Sequence, residues 1–256
     1  MILNFQRYLM VAVLLSIPPW TWASDSLKVQ KVTDGVYAIV GELGNRSAEN
    51  LGNNANFGVV VTDAGVVLID SGGTYDGAKA IHEAIQSVTD QPIVKVINTG
   101  GQDHRWMGNG YFKALGATII ASQDAVADQK ARAKDQFFML GTLVGEDVVK
   151  RTKAVHADET FTDALDLDVG GVRFEIRHAG VAHTPGDAYV WLPAHSVMFS
   201  GDIVYTDRML GVLDFSNSKS WVDVFDDMAS HEPKHLVPGH GHPTDLKQAQ
   251  KDTHDY

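Results

Sequence analysis

The chain has 256 residues, 44% of them hydrophobic and 21% charged, a balance that supports a sizeable globular core. Its formal charge of −11 argues against a nucleic-acid partner, because phosphate binding needs a basic surface. There is no cysteine, which excludes disulfides and thiolate ligands. Any metal must then be held by His, Asp, Glu or main-chain groups.

Residues 1–23 have the composition of an export leader. Arg7 gives a short positive start, residues 8–17 are apolar, Pro18-Pro19 breaks any helix, and Ala23 offers a small residue before a cut. The apolar run is too short to span a bilayer, and no stop-transfer pattern follows it. We expect a leader over 1–23 and one domain over 24–256, periplasmic or secreted, with no stable membrane span. An uncleaved N-terminal anchor is the alternative.

From Leu27 the pattern is strand-rich, with β-branched runs at 29–32, 36–40, 58–62 and 66–69 separated by Asp-Gly and Asp-Ala-Gly turns. Residues 44–56 read as loop. Residues 75–88 have helical spacing, with Ala78, Ile81, Ala84, Ile85 and Val88 on one face. A buried strand over 92–97 leads into Asn98-Thr99-Gly100-Gly101-Gln102-Asp103-His104-Arg105. A short helix over 111–115 and a strand over 118–121 follow, and then a helix capped by Ser122 that runs to about Phe138. Near Thr160 a second strand-rich half begins, with strands at 164–169, 172–178, 188–191 and 197–199, a helix at 221–230 and a strand at 235–237. A final helix starts at Asp245 and stops with the chain, which is either naturally short there or cut. Periodicity alone gives α/β or α+β.

Three Gly/Pro-punctuated stretches each carry one metal-type side chain: His183-Thr-Pro-Gly-Asp187, Ser200-Gly201-Asp202 and Pro238-Gly239-His240-Gly241. Two imidazoles and a carboxylate on separate strand-end loops are the material of an open, water-activating metal site. Each residue alone could be no more than a turn residue. Their order, with Asp70 after a strand, Asn98-Thr99 and Gly108-Asn109, resembles the metallo-β-lactamase superfamily over residues 27–256.

That resemblance implies an α+β fold, a four-layer αββα sandwich with the site at its edge. It also implies a metal-dependent hydrolase of small esters, lactones, thioesters or β-lactams. The family's ligand loop reads His-x-His-x-Asp-His, and here it is rewritten. Aligned without a gap, its first two histidines become Gly100 and Gln102, its Asp becomes His104 and its last His becomes Arg105. Shifted by one residue, Asp103-His104 matches the Asp-His pair, and the two histidines become Thr99 and Gly101. In either frame a two-metal site is incomplete. The expected ligands are His104, His183, Asp202 and His240, which suit one zinc ion and also iron or manganese. Asp103 is expected as general base or added ligand, and Arg105 as a clamp for a substrate anion. The competing reading is a non-hydrolytic binding or accessory protein that keeps the fold. Trp106, Met107 and Phe137 to Met139 are read as packing, and His82, His156, His195, His231, His235, His242 and His254 as solvent-exposed.

Overall fold

The computed structural model describes residues 27–256; the leader expected over 1–23 lies outside them. Two sheets face one another. The first runs β1 (Lys28–Thr33), β2 (Val36–Val40), β3 (Phe57–Thr62), β4 (Gly65–Ile69), β5 (Ile93–Asn98), β6 (Thr118–Ser122) and β7 (Glu159–Phe161), in that order across the sheet. Its β1–β4 part is antiparallel, and its β4–β7 part is parallel. The second sheet has β8 (Ala164–Val169), β9 (Val172–Arg177), β10 (Tyr189–Leu192), β11 (Val197–Phe199) and β12 (His235–Val237), with only β11–β12 parallel.

The layers follow from strand alternation. In β4, Val67 and Ile69 point into the inter-sheet core, while Val66 and Leu68 point outward onto α1 (Tyr75–Gln86). In β10, Val190 and Leu192 face the inner core, and Tyr189 and Trp191 face outward. Both faces of each central strand are thus buried, so these strands read as continuous apolar runs. Between β5 and β6 lie α2 (Asp103–Trp106) and α3 (Asn109–Ala114); α4 (Gln123–Val144) and α5 (Glu146–Val149) join β6 to β7. Over the second sheet, α6 (Ser218–Ala229) presents Trp221, Val224, Phe225 and Met228, one stripe at helical spacing. Then α7 (Leu246–Ala249), capped by Asp245, runs into a wider turn over Gln250–His254. Among the described residues no helix is long and apolar enough to cross a membrane.

The structure corrects several local expectations. Ser122 does cap α4, its Oγ accepting from the Ala125 amide at 3.0 Å, but the helix continues past Phe138 to Val144. Nothing breaks it before Gly145, whose φ of +99° suits glycine. The segment at Thr160 is not the start of the second half, because β7 pairs with β6 in the first sheet. Trp106 and Met107 are core, whereas Phe138 and Met139 stand largely in solvent. His82, His156, His195, His231 and His254 are half-buried rather than exposed.

Loops from the C-terminal ends of β4, β5, β11 and β12 meet at one edge of the sandwich, the usual place for a site in parallel sheet segments. Asn56, just before β3, ties the two sheets there: its side-chain amide donates to Pro238 O at 2.9 Å and Gly241 O at 2.7 Å. Phe199 lies between the sheets, 2% exposed and against Gly58, where a Cβ would come within 2.5 Å of its ring. Phe199→Ala is expected to cost about 3–5 kcal/mol in denaturant unfolding. A loss under about 1 kcal/mol would contradict its place in the shared core.

Candidate metal centre

One residue organises this edge. Arg105, 1% exposed on α2, uses all five of its N–H donors inside the protein. Nε donates to Asp202 Oδ2 at 3.2 Å; Nη1 to Asp70 Oδ2 at 2.8 Å and Asn56 O at 3.1 Å; Nη2 to Asp202 Oδ1 at 2.7 Å and Gly239 O at 3.1 Å. Asp70 and Asn56 belong to the first sheet, and Asp202 and Gly239 to the second. Asp70, held at φ +65°, also accepts from the Thr99 amide at 2.7 Å and from its hydroxyl, fixing the start of the β5 loop. A substrate clamp at Arg105 is therefore overturned, since no donor is left for a ligand. Burial alone would lower its pKa, but Asp202 and Asp70 raise it above the ordinary value.

Asp202 follows β11 on a tight turn in which Gly201 has φ +53°. Besides Arg105, its carboxylate faces His104 Nε2 through Oδ2 and His240 Nε2 through Oδ1, each at 3.1 Å. Burial would raise its pKa, yet the charge of Arg105 and the neighbouring imidazoles hold it well below the ordinary value. Ligand atoms of His104, Asp202 and His240 lie within 4.8 Å of one another, a spacing that could hold a metal ion. All three are nearly fully buried.

The imidazole of His240 reports on what belongs there. Its Nδ1 lies 2.8 Å from Asn54 O, an acceptor, and 3.3 Å from Arg208 Nη1, a donor; the shorter contact, to the carbonyl, places the proton on Nδ1 and leaves Nε2 with a bare lone pair. Burial draws its pKa down to about 3, so the ring is neutral near pH 7. A lone pair and an ionised carboxylate then face each other at 3.1 Å. A cation between them removes that repulsion, and the donor set suits one divalent ion.

Among the described residues no second group of three such side chains converges. Gly100 replaces a ligand-type side chain, and a Cβ there would lie 2.5 Å from Asp187 Oδ1; one on Gly101 would overlap the Asp128 carboxylate. Gln129 and Gln136 of α4 donate to Gly100 O and Gly101 O, at 3.2 and 2.8 Å. Gln102 Oε1 accepts from Arg132 at 3.2 Å, which ties this loop to α4 as well.

His183, expected as a ligand, stands outside the cluster. Its Nδ1 donates to Gly211 O at 2.5 Å, and its ring packs on Tyr205, Phe215 and Trp221. Burial lowers its pKa, leaving a neutral ring whose Nε2 carries the free lone pair. Asp103, expected as base or ligand, is instead bound by Arg46, whose Nε donates to Oδ1 at 3.0 Å. Burial opposes this, but the Arg46 charge keeps that carboxyl below its ordinary range, which makes it a weak base. The sequence reading missed Arg46, the one basic residue in the 44–56 loop, and Arg208, whose Nη1 is 3.3 Å from the His240 ring. It also missed Asp187, sealed under the Gly100 loop by the amide and hydroxyl of Thr184.

The family model described as the metallo-beta-lactamase superfamily matches residues 51–240, well over half of the chain. The chain belongs to the metallo-β-lactamase superfamily. It is 24% identical over 225 residues to a metallo-beta-lactamase type 2 of Elizabethkingia meningoseptica, covering 85% of this chain and 80% of that one. It is 22% identical over 240 residues to metallo-beta-lactamase IND-1 of Chryseobacterium indologenes, covering 91% and 90%. The solved metallo-beta-lactamase from Pontibacter korlensis superposes with a TM-score of 0.70 at 21% identity, over 88% of this chain and 95% of that one. The two facing sheets with helices outside are this family's αββα sandwich, as the motif resemblance implied.

Burial and the charge of Asp202 push the Asp187 carboxyl up to about 8. A folded-state pKa above the ordinary 3.8 means that the fold prefers the protonated acid. The contribution of Asp187 to stability is then full below about pH 4 and is lost as pH rises through about 8. Asp187→Asn can keep both contacts to Thr184 and should flatten that slope. Denaturant midpoints measured from pH 5 to 9 should show the wild type losing ground to the variant. Parallel curves would contradict a neutral Asp187.

Proposed function

We propose that the protein is a hydrolase of small molecules, working with one metal ion, zinc in the first instance, on His104, Asp202 and His240. The observation that carries this is the bare Nε2 of His240 against the Asp202 carboxylate, an arrangement that calls for a cation. An ion bound there supplies Lewis acidity, polarising a carbonyl and acidifying water. The chain's own groups supply the rest. Arg105 holds the Asp202 carboxylate in place and ionised. His183, with its tautomer fixed by Gly211, offers Nε2 as a buried proton acceptor rather than as a ligand. Arg208 has no carboxylate within ion-pair distance among the described residues, so it replaces Arg105 as the group for a substrate anion. Esters, lactones, thioesters and β-lactams all offer the required carbonyl. The composition of residues 1–23 supports a site of action outside the cytoplasm.

One observation favours the non-hydrolytic alternative: Arg46 Nη2 lies 2.9 Å from His104 Nδ1, a contact suited to a metal-free ring. Elemental analysis of protein purified without added metal separates the two readings. About one equivalent is expected in the wild type, lost in His240→Ala and retained in His183→Ala. Hydrolysis of nitrocefin and of simple lactones and thioesters should fall by roughly 100-fold or more in both variants, as for loss of a general base or of the ion. A metal-free, inactive wild type would establish the accessory reading.

A further inference from the structure

We propose that Arg46, lying against His104 and Asp103 at the rim of the cluster, holds His104 in the tautomer that cannot bind metal, so that loading requires Arg46 to let go. The proposal rests on the metal-centre reading above. Arg46 projects inward from a loop braced by its own side chains. Asn50 Oδ1 accepts from the Ser47 and Gly52 amides at 2.9 and 3.1 Å, and its Nδ2 donates to Asn45 O at 2.9 Å and Glu42 Oε2 at 3.1 Å. With that turn fixed, the Arg46 side chain is only 14% exposed.

A guanidinium stays protonated in proteins and has donors only. His104 Nδ1 lies 2.9 Å from Arg46 Nη2 and 3.2 Å from Asp103 Oδ1; the nearer partner is the donor, so Nδ1 accepts from Arg46 and is bare. The ring proton then sits on Nε2 and is donated to Asp202 Oδ2 at 3.1 Å. A protonated Nε2 has no lone pair for a cation. To become a ligand, His104 must carry its proton on Nδ1, where Asp103 Oδ1 waits at 3.2 Å. Arg46 and an Nδ1–H would then be two donors pointing at each other. Keeping Arg46 in place while Nε2 binds an ion would demand an imidazolate. Arg46 contact and His104 ligation therefore exclude one another. His240 differs in which partner is nearer: its Nδ1 is 2.8 Å from a carbonyl and 3.3 Å from Arg208 Nη1, so the acceptor wins there and the ring is set as a ligand already. The cluster is one ligand that is ready and one that is held shut from the 44–56 loop.

The test uses the full chain, metal-free, as wild type, Arg46→Ala and Arg46→Met. Long-range proton–nitrogen spectra of the histidine rings report the tautomer, and competition with a chromophoric chelator reports zinc affinity. The wild type should show His104 with a bare Nδ1 and a protonated Nε2. Both variants should show the reverse, with Nδ1–H on Asp103, and should bind zinc roughly tenfold or more tightly, the scale of one charge-assisted hydrogen bond. An Nδ1–H tautomer in the wild type, or zinc affinity unchanged or weaker in both variants, overturns the proposal. If no form takes zinc, the metal-centre reading falls, and the ring spectra alone decide what Arg46 does.

Discussion

The guanidinium of Arg105 joins four chain segments at the edge where the two sheets meet. It pairs with Asp70 from the first-sheet side and Asp202 from the second, and it is almost fully buried. Removing one partner of such a buried pair leaves an uncompensated charge, a loss on the order of 3–5 kcal/mol. The edge at which the sheets meet is accordingly set by this ion pair, with the Asn56 amide beside it. The chemistry of the site inherits that geometry. Asp202 can face two imidazoles because Arg105 has already fixed the plane of its carboxylate.

The rewritten ligand loop makes sense in the same terms. Glycine at 100 and 101 lets α4 close onto the loop, where Asp128 and the amides of Gln129 and Gln136 take the space of absent side chains. Trp106 seals the packing by donating from Nε1 to Gln136 Oε1 at 2.9 Å. A region able to hold ligands in a fuller site is here a packed protein interface. One cation position remains, and a fixed organic cation stands beside it. The His183 ring is held by a loop, 206–217, that also presents Arg208 beside His240.

Much of this was legible in the sequence, for local reasons. Gly201-Asp202 and Pro238-Gly239-His240 end strands at punctuated turns, and such a turn fixes the direction of its side chain almost by itself. The alternating and continuous apolar runs gave the strands, and the Ala78–Ile81–Ile85 stripe gave α1. What could not be read depends on distant partners. The string around His183 located the turn, but its ring orientation is set by Gly211, 28 residues away. Arg105 looked like an obstacle to cations and a hook for anions, because its neutralising partners lie 35 and 97 residues away. Arg46 sits in a segment whose composition says only loop, and its importance comes from facing Asp103, 57 residues on. Strand-end residues were visible, and the groups that tune them were not.

The central claim is that Arg105 and the glycine-bearing loop leave room for one ion, held by His104, Asp202 and His240. Diffraction at the zinc absorption edge, from crystals grown with excess zinc, tests it most directly. The account predicts a single anomalous peak at this edge of the sandwich, within bonding distance of Nε2 of both histidines and a carboxylate oxygen of Asp202, with the His183 ring still on Gly211. Two peaks there, or one peak bonded to His183, would contradict it.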